Sequence, residues 1–515
     1  MFDVNDFYDD NVWDLICDGK TKGVFQLESQ LGRSWAKRVH PRNIIELAAL
    51  ISLIRPGCLK AYTDGKSLTQ HYVDRKAGLD PVSYPHSSLE PILSETYGVL
   101  VYQEQSMMIA QELAGFNLKE ADTLRKAIGK KKAGLMEEVK TSFLSGATSK
   151  GVVTKEAAEE VFSWIEKSNR YAFNKSHAVS YAVNAYWSAY CKYHKPFAFY
   201  VTYLNHSHRK PDQQREIKEL IMDAKMCDID VYPPRLEFLS TDFTKRGDKI
   251  IFGLSHLKHV GDKECIKIAN IIDNVDTSTY SWPDVLINII HHGKLNKQAV
   301  IALISVGAFT GANNKIHRQQ MLYEFDSWKQ LTAREQAYIC KTYANIKFSS
   351  LSACISDMID NFKLNSNRLN IMLDIKNSLD RPFYELNDTI LSIAEQEQKY
   401  MGCSLTCSKI DSINDNFSNY MCKEISLGTI KGKVNLAVQI NSIREYKTKR
   451  GKNPGQTMAF LSIEDNSGSL DSVTIFPECY EKYREFLIEG NTIMVAGETS
   501  KKENSAIIIN KVYQA

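Results

Sequence analysis

The 515-residue sequence has little net charge and lacks a long apolar run. Lys and Arg outnumber Asp and Glu by 64 to 61, a formal net charge of +3, so any basic binding surface has to be local. No apolar stretch is long enough to span a membrane. The acidic N-terminal stretch Met1–Asp6 does not resemble a signal peptide. The sequence therefore predicts a cytoplasmic protein.

A disulfide framework and a metal-binding motif are also missing. The 11 cysteines are scattered, which is typical of a protein in a reducing compartment. Cys403, Cys407 and Cys422 come nearest to a metal cluster, but no CxxC pair or neighbouring histidine accompanies them, so ordinary thiols are expected. Proline is absent from Gly98 to Lys195, which favours long helices in that stretch.

Local patterns give a first outline of residues 1–96. They predict a helix near 11–17, a short strand over Gly23–Leu27 and an apolar core helix over Ile44–Ile54. Arg55-Pro56-Gly57 should end that core helix. Residues 61–96, including Tyr72–Lys76, are expected to be rich in loops.

The most basic segment follows, between Tyr97 and Lys132. It starts as a β-branched, strand-like run and becomes a helix, in which Ala121, Leu124 and Ile128 recur at helical spacing and should face inward. Gly129 is expected to end this helix. Five cations within eight positions would suit a triphosphate or a nucleic-acid backbone. The alternative is a solvated helix end whose cations complement the helix dipole. The cations are Arg125, Lys126, Lys130, Lys131 and Lys132.

A second helical segment begins at Asn174–Tyr181. Ser176 is the predicted N-cap, and Lys175 and His177 beside a helix N-terminus would favour an anion. Pro196 is expected to close the helix. Small residues at helical spacing predict close packing against a neighbouring helix, with a tyrosine stripe beside them that is expected to be core. The small residues are Ala178, Ala182, Ala185 and Ala189, and the tyrosines are Tyr186, Tyr190 and Tyr193.

Together these segments resemble the bacterial replicative DNA polymerase III α subunit, polymerase family C. The resemblance is strongest over residues 20–200, returns over 426–515, and covers the fingers domain and the domains after it. The motifs that carry it are Gly23–Ser29, Arg55-Pro56-Gly57, Tyr97–Gln105, Leu124–Lys132 and Asn174–Tyr181.

The resemblance implies a nucleotide site in the fingers. Arg125 and Lys126 match an adjacent basic pair that contacts the triphosphate, although both positions are typically arginine in the family, and lysine lacks the bidentate fork. Further nucleotide-site residues implied by position are Lys130, Lys131, Asn174, Lys175 and His177. Arg55 would lie near the active cleft as a DNA contact, or it is simply a cation of the loop.

Two later segments predict DNA contacts. Residues 253–262, followed by a helical repeat, fit a helix-hairpin-helix in which Lys258, Val260 and Gly261 would meet a duplex phosphate; an ordinary turn between helices is the alternative. Residues 294–309 resemble a family region that contributes to sliding-clamp contact. Gln320–Phe325 superficially fits a clamp-binding peptide, but an amphipathic helix is favoured there.

Residues 426–515 read as five strands with a short helix over Glu478–Leu487, which predicts an oligonucleotide-binding (OB) barrel. The loop between its first two strands is basic and should contact DNA. Tyr446, Phe460 and Phe476 could stack on bases, although a place in the barrel core is at least as expected for the two phenylalanines. The basic loop residues are Lys447, Lys449, Arg450 and Lys452.

The predicted fold class is a multidomain chain with mainly α-helical fingers and helix-hairpin-helix domains followed by a C-terminal β-barrel of the OB-fold. The expected domains are fingers at 1–204, a helix-hairpin-helix or clamp-binding-like domain at 205–320, a helical connector at 321–425 and the OB-fold at 426–515.

Nucleotidyl transfer needs acidic residues that hold two metal ions. In the family the palm supplies them, and this sequence contains no match to it. Asp228-Ile229-Asp230 could place two carboxylates on one strand face, but a structural role is favoured. The expected function is therefore the C-terminal portion of a split polymerase that binds dNTP and primer-template DNA. A palm-bearing partner chain would hold Mg²⁺, and a sliding clamp is a further expected partner. The alternative is a non-catalytic DNA-binding remnant.

Overall fold

The computed structural model describes residues 6–130, 133–169, 171–273, 275–413, 416–448, 454–500 and 505–514, without the side chains of residues 129, 130, 133 and 169. Contacts divide the chain into two units, residues 1–199 and 200–515. Among the described residues, no helix combines the length and the apolar character needed to cross a membrane.

The described part of the first unit is mainly helical, and it contains a small hairpin of strands β1 (Tyr62–Thr63) and β2 (Lys66–Ser67). Its helices are α1 (Asp10–Cys17), α2 (Gln30–Val39), α3 (Ile44–Leu53), α4 (Pro56–Lys60), α5 (Leu68–Lys76), α6 (Glu90–Leu93), α7 (Gln103–Ala114), α8 (Leu118–Lys130), α9 (Ala133–Lys150), α10 (Lys155–Asn169) and α11 (Lys175–His194). Helix α12 (Pro196–Asn205) crosses the boundary between the two units.

The long helix α11 packs against α3 through the predicted small-residue face. Ala178, Ala182, Ala185 and Ala189 are all fully buried, which confirms that prediction. Methyl side chains let the two helix backbones approach closely, and the apolar residues of α3 fill the other side of the seam. The same core includes buried side chains of α1, α2 and α5.

A second core lies within the first unit, formed by helices α6 to α10. Ala121, Leu124 and Ile128 of α8 belong to it, as their spacing predicted. Asn117 caps α8 by accepting from the backbone N–H groups of Lys119 and Glu120. The basic helix α8 and the helix α11 therefore belong to different cores.

Several local predictions for the first unit are wrong. Gly23–Leu27 is a series of turns instead of a strand, since Gln26 takes a positive φ of 63°. Residues 97–101 form no strand, and Tyr72–Lys76 lies in helix α5. Helix α8 continues through Gly129 to Lys130.

The ends of α11 also differ from expectation. Asn174 is the N-cap in place of Ser176, because its side-chain oxygen accepts the backbone N–H of His177. The helix ends at His194, and Pro196 begins the next helix. Of the tyrosine stripe, Tyr186 is fully buried while Tyr193 is exposed, so the core prediction fails for Tyr193.

The second unit begins with further helices and a small sheet. Strands β3 (Asp230–Tyr232), β4 (Thr244–Arg246) and β5 (Lys249–Ile251) lie in the order β3-β5-β4, with β3 parallel and β4 antiparallel to β5. The helices are α13 (Gln213–Met226), α14 (Asp262–Ile272), α15 (Trp282–Asp284), α16 (Lys297–Ser305), α17 (Arg318–Trp328), α18 (Ala333–Tyr343), α19 (Leu351–Asn361), α20 (Ser366–Asp380), α21 (Ile390–Met401) and α22 (Cys422–Ser426), with a π-helix at Val285–His291 after α15. Gln320–Phe325 lies within α17, which confirms the helix expected there.

The unit ends in a closed five-stranded barrel of β6 (Lys433–Lys447), β7 (Thr457–Asp465), β8 (Gly468–Ile475), β9 (Thr492–Thr499) and β10 (Ile507–Gln514). Its order is β10-β8-β7-β6-β9, with β8 and β10 parallel and the other pairs antiparallel. Helix α23 (Pro477–Tyr483) joins β8 to β9, and alternating apolar residues fill the interior. This arrangement is that of an OB-fold, so the predicted fold class is confirmed.

Replacing Ala185 by Leu should destabilise the first unit. The added methylene groups have no space between α11 and α3, so the free energy of unfolding should fall by about 1–3 kcal/mol. Asn184→Leu is the matched control, since Asn184 lies on the exposed side of the same helix. Urea unfolding followed by tryptophan fluorescence measures both, and equal losses in the two variants would contradict the close packing of this seam.

Candidate nucleic-acid interface

Four aromatic side chains and one arginine form a row of neighbouring contacts along one surface of the first unit. The Arg55 guanidinium lies 4.5 Å from the centre of the Phe173 ring. Ring centroids are separated by 5.4 Å from Phe173 to His177, 4.1 Å from His177 to Tyr181 and 5.0 Å from Tyr181 to Phe25. Arg55, His177 and Phe25 are exposed, and the other two are half-buried. We name these five side chains the ring ladder.

Backbone contacts fix the centre of the ring ladder. The N–H of Phe173 donates to the carbonyl of Val101 at 2.9 Å, and the N–H of Gln103 donates to the carbonyl of Phe173 at 2.9 Å. His177 and Tyr181 are four residues apart on α11, so they lie on one helix face. The segment 97–105 and the segment 174–181, both singled out from the sequence, therefore meet at Phe173.

A tight turn places Arg55 at the end of the ring ladder. Arg55 is the N-cap residue of α4, with Pro56 at the first helical position. A Cβ on Gly57 would lie 2.5 Å from the Tyr171 ring, so glycine permits the turn to pack against the chain just before Phe173.

Two carboxylates bind the start of α11. Glu104 accepts from the Asn174 side-chain amide at 2.7 Å and from the backbone N–H of Lys175 at 2.9 Å. The Lys175 ammonium donates to both oxygens of Glu95, at 2.7 and 2.8 Å. The N-terminal dipole of α11 therefore already faces the negative charge of Glu104.

The basic pair of α8 is held by another carboxylate. Arg125 donates from Nε at 2.9 Å and from Nη2 at 2.7 Å to one oxygen of Asp122, and Lys126 pairs with the other oxygen at 2.6 Å. Hydrogen bonds from Lys126 and Arg125 lower the pKa of Asp122. All three groups are partly exposed, so an added anion could share these donors. The Lys130 side chain and all of Lys131 and Lys132 lie outside the described residues.

Four of the predicted site residues lie in or beside the ring ladder, and two others lie apart from it on helix α8. Arg55 and His177 belong to the ring ladder, and Asn174 and Lys175 adjoin it on the first turn of α11. Arg125 and Lys126 lie on α8, over the other core of the unit. The described contacts of these two cations are with Asp122.

The hairpin before α14 presents backbone groups. His259 takes a positive φ of 71°, and Gly261 is the exposed N-cap of α14. Without a side chain, Gly261 leaves the first N–H groups of the helix open to an anion. Lys258 is exposed, whereas the side chain of Val260 is buried and its backbone N–H donates to the carbonyl of Leu257 at 3.1 Å. The structure therefore does not support the phosphate contact predicted for Val260.

The barrel has a basic and aromatic patch on its outer face. The Arg444 guanidinium lies 5.3 Å from the Phe460 ring centre, and Tyr446 and Phe460 are 6.4 Å apart between ring centroids. Lys447 is exposed at the end of β6. Phe460 is half-buried and Phe476 is 50% exposed, both outside the barrel core, so the core alternative for these rings is wrong. Lys449, Arg450 and Lys452 lie outside the described residues.

Metal ligation is not supported by the described residues, in which no group of three or more His, Cys, Asp or Glu side chains could hold an ion. Burial raises the pKa of Cys403 and Cys422, so both thiols stay protonated at neutral pH. Asp228 has a positive φ of 59° and pairs with Lys423 at 2.7 Å, while Asp230 is the first residue of β3. The structural role favoured for Asp228 and Asp230 stays a prediction.

Sequence reasoning missed the acidic half of the site. Glu95 and Asp122 pair with predicted cations, and Glu104 accepts from the Asn174 amide and from the backbone N–H of Lys175. Only Asp122 could have been found from the sequence, since it precedes Arg125 and Lys126 by three and four residues. The contacts of Glu95 and Glu104 join residues 70 to 80 positions apart, which spacing does not reveal. Phe173 was missed for the same reason, as its neighbours Arg55 and Val101 are distant in sequence.

Together these features define a multidomain protein in which helical modules precede a closed barrel of the OB-fold. The sequence profile of the bacterial DNA polymerase III alpha subunit finger domain matches residues 2–151, and a helix-hairpin-helix profile matches residues 228–321. The chain belongs to the bacterial DNA polymerase III alpha subunit family and corresponds to the C-terminal part of that subunit, as its motifs predicted.

Relatives that match nearly the whole chain agree with this assignment. The chain is 33% identical over 512 residues to the DNA polymerase III subunit alpha of Aquifex aeolicus, covering 98% of the chain and 39% of the relative. It is 30% identical over 522 residues to that of Borreliella burgdorferi, covering 99% and 42%. For Bacillus subtilis the identity is 28% over 506 residues, covering 97% and 41%. The chain thus spans about two-fifths of the length of these relatives.

Replacing Asp122 by Asn should strengthen the binding of inorganic tripolyphosphate to the chain. The change releases Arg125 and Lys126 from a competing carboxylate, and because these charges are exposed to solvent the affinity should rise by no more than about fivefold. Isothermal titration at low salt measures the effect. Glu138→Gln, the same charge change at an exposed site on α9, is the control. Equal gains in both variants would mean that Asp122 acts through net charge alone.

Proposed function

We propose that this chain binds the incoming dNTP and primer-template DNA during template-directed DNA synthesis, together with a palm-bearing partner chain. The observation that carries the proposal is the ring ladder, in which motifs distant in sequence form one exposed cationic and aromatic surface. The relatives are named as DNA polymerase III subunits alpha, which gives the reaction class. On this proposal the chain is part of a DNA-directed DNA polymerase.

The ring ladder would receive bases. Aromatic faces stack on bases without requiring a particular sequence, at about 1–3 kcal/mol for each base. His177 and Phe25 are the exposed rings of the ladder, and Phe25 lies at the end of the row, so these two rings would make such contacts. Arg55 would add a charge that favours the nearby backbone.

The phosphates of the dNTP would bind the basic helix α8. Arg125 and Lys126 present three donors fixed by Asp122, and a phosphate oxygen forms charge-assisted hydrogen bonds with the same groups. Since the carboxylate already balances part of their charge, a triphosphate has to share or replace it. The other residues proposed for the nucleotide site are Lys130, Lys131, Asn174, Lys175 and His177.

DNA away from the reacting end would meet the second unit. The exposed start of α14, with Lys258 and Gly261, suits a duplex phosphate without sequence readout. The barrel patch around Arg444, Tyr446, Phe460 and Lys447 suits single-stranded DNA, and Lys449, Arg450 and Lys452 would extend it. A sliding clamp is a further proposed partner.

The proposed Mg²⁺ ions would be held by the palm. The described residues offer no carboxylate set that fits them, so the contribution of this chain is binding and orientation. Its cations would neutralise charge on the triphosphate as the α-phosphorus is attacked, a contact that strengthens in the transition state.

Arg125→Ala should reduce nucleotide incorporation by the complex with the palm-bearing chain by about 30- to 1000-fold, because a charge-assisted contact worth about 2–4 kcal/mol in the transition state is lost. Affinity for primer-template DNA should change little. Lys119→Ala, an exposed cation on the same helix, is the control and should leave incorporation near wild type.

Steady-state incorporation is measured beside DNA binding for each variant, and each chain is also assayed alone, where no extension is expected. Normal incorporation by Arg125→Ala would refute the triphosphate role. An equal loss of DNA binding would make Arg125 a backbone contact. If no palm-bearing chain restores synthesis, the alternative of a DNA-binding remnant is favoured.

Neutralising the barrel loop should weaken the salt dependence of single-stranded DNA binding. In Lys447→Ala, Lys449→Ala, Arg450→Ala, the slope of log affinity against log salt should flatten by up to about 2, since each lost phosphate contact removes about 0.7 from the slope. The control triple variant changes Lys431, Lys433 and Lys511, which are exposed on other parts of the barrel unit. A slope unchanged from wild type would exclude this loop as a contact.

A further inference from the structure

The first turn of α11 already has internal partners for the groups that would bind a phosphate. The Lys175 ammonium meets both oxygens of Glu95 within 2.8 Å, and each of the two side chains is 33% exposed. The backbone N–H of Lys175 donates to Glu104, and that of His177 donates to Asn174. A phosphate at this helix end would have to displace two carboxylates.

Glu104 also fixes the cap residue itself. Its carboxylate accepts from the amide nitrogen of Asn174 at 2.7 Å. This contact turns the amide oxygen of Asn174 toward the helix, where it accepts from the N–H of His177 at 2.9 Å and from the Ser176 hydroxyl at 2.7 Å. Glu104 therefore determines the geometry of the cap as well as its charge.

The ring ladder depends on this turn. Phe173 directly precedes the cap, His177 lies in the first turn, and Tyr181 follows one turn later. The Lys175 ammonium is also 5.7 Å from the ring centre of Tyr102, whose backbone pairs with Phe173. A shift of the cap would move Phe173 and His177 relative to each other, although neither touches Glu95 or Glu104 in the described contacts.

We propose that Glu95 and Glu104 hold Lys175 and Asn174 as positioning residues, which orient the ring ladder and do not themselves contact phosphate. This inference rests on the proposed function, in which the ring ladder stacks on bases. It assigns the phosphates to α8 and the bases to α11, so the two helices have separate roles in the same site.

A charge reversal distinguishes positioning from phosphate contact. Lys175→Glu places two carboxylates together and should lower the affinity of the full chain for a single-stranded oligodeoxynucleotide by on the order of fivefold. The double variant Glu95→Lys, Lys175→Glu restores an ion pair with reversed polarity and should recover the affinity to within about twofold of wild type. A phosphate contact predicts no recovery, because residue 175 would still repel the backbone.

The probe is an oligodeoxynucleotide that contains 2-aminopurine, whose fluorescence falls when the base stacks. Lys175→Glu should reduce this quenching and the double variant should restore it, while the salt slope stays unchanged. A decrease of the slope by about 0.7 in the variants would instead assign a phosphate contact to Lys175 and overturn the proposal. Thermal unfolding is recorded for each variant.

Glu104→Gln provides a second test that does not depend on the folding of the reversed pair. A positioning role predicts weaker binding and less quenching. Asn174 and the backbone N–H of Lys175 donate to different oxygens of Glu104, and the side-chain amide of glutamine has only one oxygen. A phosphate contact at this helix end predicts tighter binding, because a repelling charge is removed. Glu112→Gln, the same change at an exposed position of α7, should have little effect.

Tyr181→Ala separates the failure of this inference from the failure of the proposed function. Unchanged quenching in Tyr181→Ala would show that the ring ladder does not receive bases. That result would refute the proposed base-binding role of the ladder and the positioning role of Glu95 and Glu104 together. Reduced quenching in Tyr181→Ala, without recovery in the reversed pair, would leave the ladder as a base site and remove the positioning role of Glu95 and Lys175.

Discussion

Close packing of α11 against α3 is the constraint on which the ring ladder depends. The alanine seam is fully buried, so the rotation of α11 about its axis is fixed. With that rotation set, His177 and Tyr181 have to lie on the outer face of the helix, and Phe173 has to meet the segment that contains Val101. The core of this unit therefore determines which aromatic side chains are exposed, and Phe173 and Tyr181 of the ring ladder pack directly against it.

Charge in the first unit is arranged in local, nearly neutral groups. Asp122 balances Arg125 and Lys126, Glu95 balances Lys175, and Glu104 faces the positive end of α11. This explains how a chain with a net charge of +3 can carry basic sites without a strongly basic surface. Preset pairs of this kind limit the rotamers of long side chains, so less conformational entropy remains to be lost when an anion binds.

Much of the architecture could be predicted from the sequence, because helical spacing and strand alternation report on burial. The buried face of α8, the alanine seam and the barrel strands followed from such patterns. Gly23–Leu27 and Gly129 misled the prediction, since residue spacing does not report the side-chain contacts that close a turn, and a helix can continue through a single glycine. Thr21, for example, donates to the carbonyl of Leu27 and so closes a turn where a strand was expected.

The site was less predictable than the fold, and the reason is physical. Type and spacing identify cations such as Arg125 and Lys175, but their effective charge depends on which carboxylates fold against them. A lysine whose ammonium meets both oxygens of Glu95 presents little net field to a phosphate, whereas Lys258 and Lys447 are exposed and have no carboxylate partner within the described contacts. Lysine therefore has a positioning role on α11, as Lys175, and is an exposed cation on the hairpin and the barrel, as Lys258 and Lys447. That distinction comes from pairing across 80 positions of sequence, which no local motif contains.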